Sequence, residues 1–541
     1  MTRKLLVTSA LPYANGSIHL GHLVEHIQTD IFVRFQRLIG NTCYYMCADD
    51  SHGTAIMLSA QKQKQKPEDY IEAIQKEHIS DFNAFYISHD HYYSTHSKEN
   101  QQFSEEIYQK AKEAGAIKTK EIEQYFCEQT KLFLSDRFIK GNCPKCNEPD
   151  QYGDACEKCF HTYDATELKN PYSVYSGKKP VLKNSVHYFF DLSRFKTIIY
   201  DWVKEDHVVQ AVKNKLQEWF DMGLKDWDIS RDAPYFGFLI PETQDKYFYV
   251  WLDAPIGYMA TTKNWCDKTK KEDFETIWKS GDFEIHHFIG KDILYFHTLF
   301  WPAMLHVGGY QLPKKVNVHG FLTVNNEKMS KSRGTFILAK EYLKHLNPEF
   351  LRYYYASKLT TGLDDLDFSC DDFTNKVNSD VLGKVVNIAS RLAAIVHKYG
   401  DGQLTVIPDS AQKMLDKIRE RAEKIAGHYE ALEFNKAMKE VMSCADVANQ
   451  FIDSTAPWAI AKTDPVQAIQ VCTAGMNACR YIIIYLKPVL PQIALGIEGL
   501  LNSNSLRWQD LTGVIENSLI NKYQHLASRI TVEDVEKIIA T

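Results

Sequence analysis

The chain has 541 residues and a mass of 62.4 kDa, enough for three or four domains at about 150 residues each. Its 44% hydrophobic, 24% charged and 12% aromatic residues are ordinary for a globular protein and exclude a disordered or collagen-like chain. Lys plus Arg number 63 against 69 Asp plus Glu, a net charge of −6, so a polyanionic partner must be argued from motifs and not from charge. The longest apolar runs, such as YIIIYL at 481–486, fall well short of the ~20 residues that cross a bilayer. The N-terminal MTRKLLVTSALPYANGS has too short an apolar stretch for a secretory signal and is broken by Pro12 and Asn15, so a cytoplasmic protein is expected.

Residues 3–9 read as a buried strand and LPYANGS as a loop. From His19 to Ile39, Leu20, Leu23, Ile27, Ile31, Phe35 and Leu38 keep a helical period that Gly40 can stop. Residues 42–48 form a second apolar run ending at Asp49-Asp50, which completes a βαβ unit with parallel strands. A second unit begins at EIHHFIG (284–290) and passes through Lys291-Asp292 into a helix, ILYFHTLFWPAML. The stretch between them, which holds the cysteine cluster, differs in character, as an insertion between two halves of a doubly wound sheet would. After about 375 strand signals fade. Residues 378–398, 409–430, 433–453, 465–486 and 489–501 carry helical periodicity, which predicts a helical bundle. The fold class expected is α/β, a doubly wound parallel-sheet (Rossmann-like) domain with an insertion, followed by an all-α domain.

Three motifs carry chemistry. His19-Leu20-Gly21-His22 opens a helix, where free N–H groups and the positive dipole end attract an anion. The two histidines share a face, and Gly21 lets a flat ligand approach the backbone. Lys328-Met329-Ser330-Lys331-Ser332 suits a loop that closes on polyphosphate, although most such clusters are solvated basic loops. Twelve cysteines in a chain this long are no disulfide framework; eight are scattered, and Cys143, Cys146, Cys156 and Cys159 form two C-x-x-C knuckles nine residues apart. Four thiolates fit tetrahedral Zn²⁺ with no open position, a structural site.

HLGH with KMSKS on a split parallel sheet resembles the class I aminoacyl-tRNA synthetases. ALPYANGSIHLGH (10–22), CADDSHGT (47–54), WLDAPIGY (251–258) and VHGFLTV…KMSKSRGT (318–335) narrow the resemblance to the methionyl-tRNA synthetase family, over essentially the whole chain. Leu20 stands where the signature has Ile, a conservative change. The resemblance implies a ligase that joins L-methionine to tRNA(Met) with ATP and Mg²⁺, and a zinc-bearing insert over the active site. His19, Gly21, His22, Asp292 and Lys331 are then expected to bind ATP, with His19, His22, Lys328 and Lys331 catalytic. The methionine pocket implied is Leu11, Tyr13, Asp50, Trp251, Ala254, Pro255, Tyr258, Ile293, His297 and Trp301. Asp50, at the carboxyl end of a strand, suits the α-ammonium, and Ile293, His297 and Trp301 at four-residue spacing form one helical stripe. Aromatic stripes are more often core; the match at each position favours a binding role. Asn387 and Arg391, four apart on one face, and Trp458 at a loop after a helix match the family's anticodon-reading residues.

The domain division expected is 1–115 and 231–325 for the two halves of the catalytic domain, 116–230 for the insertion, 326–380 for the KMSKS loop and linker, and 381–541 for the anticodon-binding domain. Three rival readings stand beside this one. Other class I synthetases for apolar amino acids usually carry a large editing insert that this length does not accommodate. A nucleotidyltransferase would leave the helical domain unexplained, and a non-catalytic tRNA binder would have no use for the histidines and lysines. The chain ends in what reads as a helix, VEDVEKIIAT, as a shortened or naturally short member would. A monomer is expected, or a homodimer where a further C-terminal tRNA-binding domain follows.

Overall fold

The computed structural model describes residues 2–134, 138–153, 156, 158–159, 161, 163–328 and 336–539. The apolar run after Arg3 becomes strand β1 (Lys4–Ser9), and the periodic segment becomes helix α1 (Leu20–Leu38), which ends at Ile39 before Gly40 at φ +95°. Strand β2 (Thr42–Asp49), helix α2 (Pro67–Ala84), strand β3 (His91–Ser94) and helix α3 (Lys98–Glu113) complete the first half. The insertion is built on a long antiparallel ribbon of β4 (Ile117–Cys127) and β5 (Val181–Phe190), between which a small sheet carries the cysteines. Strands β6 (Ser230–Asp232) and β7 (Lys246–Phe248) then lead to helix α4 (Val250–Thr269), β8 (Glu284–Gly290) and β9 (Lys315–His319).

Five of these strands form one parallel sheet in the order β9–β8–β1–β2–β3. The chain winds outward from β1 on one side, crosses back, and winds outward on the other. The order therefore reverses between β1 and β8, and the crevice at their carboxyl ends is where such sheets bind ligands. Side chains alternate across β1: Leu5 and Val7 join the core with α1, whereas Leu6 joins α4 and the insertion helices.

The remainder is helical, with α5 (Pro348–Lys358), α6 (Asn387–Gly400), α7 (Phe434–Thr455) and α8 (Pro465–Leu486) as its longest members. Three expectations need correction. The segment 409–430 is two helices, Asp409–Arg419 and Ala422–Glu430, and Val377–Val386 is wound in π-turns before α6. The helix after Asp292 is likewise irregular: a short 3₁₀ turn, a π-turn over Phe296–Phe300, and an α-helix from Trp301 in which Pro302 can donate no backbone bond. Helix α1 belongs to both regions. Its Asp30 is 2.7 Å from the fully buried Arg352 guanidinium of α5, which also donates to the carbonyls of Pro488 and Val489. The core around α1 runs without a break into Tyr429 and Ile482 of the helical region. Among the described residues, no helix is long and apolar enough to cross a membrane.

Candidate active site

A cleft of about 960 Å³ opens at the carboxyl ends of β1 and β8 and is lined by the loop after β1, the start of α1, Asp50, the start of α4, Asp292 and the residues after β9. A smaller cavity of about 390 Å³ lies among Arg3, His286 and Leu432, at the amino ends of the strands, where such sheets do not carry their ligands.

His19 caps α1. Its Nδ1 accepts the Gly21 N–H at 3.1 Å, and the His22 Nδ1 lies 3.4 Å from the His19 N–H. The two imidazoles stack with centroids 3.7 Å apart. One helix-start donor is thus taken up by the histidine itself, and the pair stands at the cleft with the dipole end behind it. Burial and the neighbouring His19 hold His22 well below the usual histidine range, so its ring is neutral and keeps one donor. Asp292 follows β8 on the opposite wall.

The expected methionine pocket divides into two layers. Leu11, Tyr13, Asp50, Trp251 and Ile293 line the cleft, with Trp251 51% exposed at its mouth. Behind them, Tyr258 Oη is 2.9 Å from His297 Nε2, and Trp301 Nε1 donates to His287 Nε2 at 3.1 Å. The stripe Ile293–His297–Trp301 therefore runs from the cleft wall into the core, where His297 and Trp301 are buried. Ala254 and Pro255 sit in the first turns of α4, whose Gly257 packs so closely that a Cβ would meet Leu11 Cδ2 at 2.8 Å. Asp50 Oδ1 is buried with no hydrogen-bond partner. Burial, with Asp253 and Asp49 close by, pushes its carboxyl well above the ordinary range. A buried, unpartnered carboxyl oxygen facing a cleft with apolar walls has the chemistry to receive a cation.

Several cleft groups were not singled out from the sequence. Glu25 and His319 pair across the cleft at 3.4 Å, and burial pushes Glu25 up to about 7 against the pull of His319. Arg231 lines the cleft with its guanidinium 3.6 Å from the centre of the Tyr249 ring. Asp253, beside Asp50, is bonded to the buried His52. His52, Asp253 and His319 lie inside words quoted above, but each pairing joins separate segments, so the words do not announce the partner.

Lys328 ends a short strand paired to Thr323; Met329 to Ser332, including Lys331, lie outside the described residues. The cysteines converge: Cys143 and Cys159 Sγ are 3.7 Å apart, Cys146 and Cys156 Sγ 3.5 Å, and all four lie within 4.8 Å of one another. The N–H groups of Cys146 and Cys159 point at the first sulfur of each knuckle. Sulfurs bound tetrahedrally at ≈ 2.3 Å from Zn²⁺ stand about 3.8 Å apart, so this donor set could hold zinc. In the helical region Arg391 lies 4.4 Å over the Trp458 ring, one turn beyond Asn387 on α6. Trp458 is the second residue of a short helix (Pro457–Ile460) instead of lying in a loop, and is 39% exposed.

The chain matches the family model of class I tRNA synthetases (M) over residues 5–393 and that of the anticodon binding domain of methionyl tRNA ligase over residues 404–534. Among solved structures it is similar to Mycobacterium tuberculosis methionyl-tRNA synthetase in complex with methionyl-adenylate, with a TM-score of 0.78 and 23% identity over 98% of this chain and 99% of that one. A second structure of that enzyme bound by methionyl-adenylate gives 0.79 and 20% over 97% and 100%, and the free form 0.73 and 21% over 98% and 99%. At these identities the likeness shows the fold. The family model spans most of the chain, and by it the chain belongs to the class I tRNA synthetases of the methionyl type.

Proposed function

We propose that the chain is an ATP-dependent methionine–tRNA ligase. It joins L-methionine to ATP as methionyl-adenylate with release of pyrophosphate, then transfers the methionyl group to tRNA(Met) for initiation and elongation. The observation that carries this reading is the juxtaposition, in one cleft, of an anion-attracting helix start and the Asp50 carboxyl, whose buried Oδ1 has no partner, between the apolar walls of Leu11, Ile293 and Trp251. A zwitterionic amino acid with an apolar side chain complements that wall, and a nucleoside triphosphate complements the other.

In this reading the α-ammonium meets Asp50 and the thioether rests among Leu11, Tyr13, Trp251 and Ile293. Ala254, Pro255, Tyr258, His297 and Trp301 shape the pocket from behind. The methionine carboxylate is already a nucleophile at neutral pH, so attack on the α-phosphate needs no general base, and catalysis is positioning and charge stabilisation. His19 and His22 contact the phosphates beside Gly21, Asp292 the ribose, and Lys328 and Lys331 the departing pyrophosphate. Mg²⁺ carried in with ATP would neutralise phosphate charge. Cys143, Cys146, Cys156 and Cys159 would hold Zn²⁺, which would supply folding energy to the insert. Residues 1–115 and 231–325 form the catalytic domain, 116–230 the insertion, 326–380 the KMSKS loop and linker, and 381–541 the anticodon-binding domain, where Asn387, Arg391 and Trp458 stack on and bond to unpaired bases. We place the protein in the cytoplasm with its tRNA, as a monomer. Exchange of labelled pyrophosphate into ATP that depends on methionine tests the reading; exchange with another amino acid, or none, overturns it.

A further inference from the structure

Beneath the cleft, three side chains with metal-binding atoms converge from separate segments: His26 of α1, Cys47 of β2, and His89 between α2 and β3. One nitrogen of each imidazole and the Cys47 sulfur all lie within 4.8 Å of one another, and among the described residues only the four insert cysteines form another such group. Aromatic rings enclose the cluster. His26 stacks on Phe82 with centroids 4.0 Å apart, and the His89 ring stands 4.4 Å from Tyr45 and 5.2 Å from Tyr92.

His89 Nε2 is buried with no hydrogen-bond partner. A polar atom kept from water in this way gives up a bond that solvent would supply, and it calls for a partner. The other two groups are held loosely. His26 Nδ1 is 3.3 Å from Ser9 Oγ and 3.4 Å from Tyr45 Oη, beyond the best range of a hydrogen bond, and Tyr45 Oη already donates to Ser9 Oγ at 2.9 Å. Cys47 Sγ is 3.6 Å from the Ala48 carbonyl and 3.8 Å from those of Ser9 and Ala10, weak contacts for a weak donor. The charges nearby favour an added cation: Glu25 and Asp49 act on Cys47, and at His89 the effect of Asp30 outweighs that of Arg37.

We propose that His26, Cys47 and His89 form a site for a thiophilic transition-metal ion of the Zn²⁺ class, separate from the four cysteines of the insert. Imidazole suits zinc, copper, iron and nickel, while thiolate narrows the choice towards zinc and Cu(I). On ligation the Cys47 thiol releases its proton to solvent as the sulfur–metal bond forms, and both imidazoles bind in neutral form. Nitrogen and sulfur atoms in a tetrahedral zinc site stand about 3.3–3.6 Å apart, so the group closes by at most about 1.5 Å. Three protein ligands leave a fourth place open, and His26 lines the cleft, which gives the ion its way in. The site therefore fills with added metal, and an ion in it ties together α1, β2 and the segment before β3.

Equilibrium dialysis of the full chain against Zn²⁺ alone tests this. The wild type should take up one zinc per chain more than H89F or C47S, whose four insert cysteines are intact. Phenylalanine keeps a ring among Phe82, Tyr45 and Tyr92 while removing both nitrogens, so H89F should fold. In the same Zn²⁺ the melting temperature of the wild type should rise further than that of H89F, because an ion bound by the folded chain stabilises it. Equal zinc uptake by the wild type and either folded variant overturns the proposal. Should neither variant fold, X-ray absorption of the zinc-loaded wild type decides: imidazole beside thiolate supports the site, and thiolate alone overturns it. Binding is the readout, so the site stands or falls apart from the activation reading.

Discussion

Asp50 stands at the end of β2 with one carboxylate oxygen buried and unpartnered, and with Asp253 and Asp49 near enough to oppose its ionisation. A carboxyl raised in the folded state contributes stability while it is protonated and withdraws it as pH rises through the raised value. The free protein should therefore gain stability at pH 8 from D50N, which keeps the shape and removes the acid. The same variant should raise the KM for methionine at least about tenfold, since a hydrogen bond to a charged group is worth ~1.5–3 kcal/mol. At the same methionine concentration the rise in its melting temperature should also shrink. An unchanged methionine KM, or a melting temperature that climbs with methionine as steeply as in the wild type, would remove Asp50 from the pocket. Asp50, His19 and His22 were legible in the sequence because each sits at the junction of a strand or helix with a loop, inside one continuous word. Arg231 and Glu25 lie outside those words, and the pairings of Glu25 with His319 and Asp253 with His52 were not legible because each joins segments about 200 to 300 residues apart.

At the scale of elements, β1, α1 and β2 follow from apolar periodicity alone, and the ladder of β1 with β8 follows from two similar βαβ patterns. The π-turns at Phe296–Phe300 and Val377–Val386 escaped, since one added residue per turn shifts a four-residue spacing too little to register. The break at Glu420 and Arg421 carries no Gly or Pro to announce it. The insert is the element most dependent on a single cluster. Among the described residues its small sheet packs few apolar side chains around Cys127, Phe138, Ile139 and Tyr163, which makes it the element that a metal on the four sulfurs would stabilise most. Metal analysis should find about one zinc per chain. C146S should lose that metal and lose hydrogen-exchange protection over residues 138–175, while α1 and β1 stay protected. Full protection of the insert in metal-free protein is the result that would exclude a structural metal.

Across the whole molecule, helix α1 is the member common to the cleft and the helical region. Its first turn holds His19 and His22, and three turns on, Asp30 is clamped by Arg34 and by Arg352, whose other donors reach Pro488 and Val489. The Asp30 carboxylate sits well below the ordinary range because, despite its burial, two guanidiniums face it. The helical region is thus tied to the catalytic sheet through α1, and the reading of tRNA proposed for its outer end needs no rebuilding of the cleft. That end presents Trp458, 39% exposed, beneath the Arg391 guanidinium. A tryptophan kept at the surface by a cation is a platform for unpaired bases, each worth roughly 1–3 kcal/mol of stacking. W458A should therefore slow charging of tRNA(Met) about 5- to 150-fold and leave methionine-dependent pyrophosphate exchange near the wild-type rate. Its melting temperature should hardly move, because a side chain this exposed contributes little core. Were Trp458 a core residue, melting temperature, exchange and charging would fall together. A folded W458A that charges tRNA normally would take Trp458 out of the anticodon surface, and Asn387 and Arg391 with it.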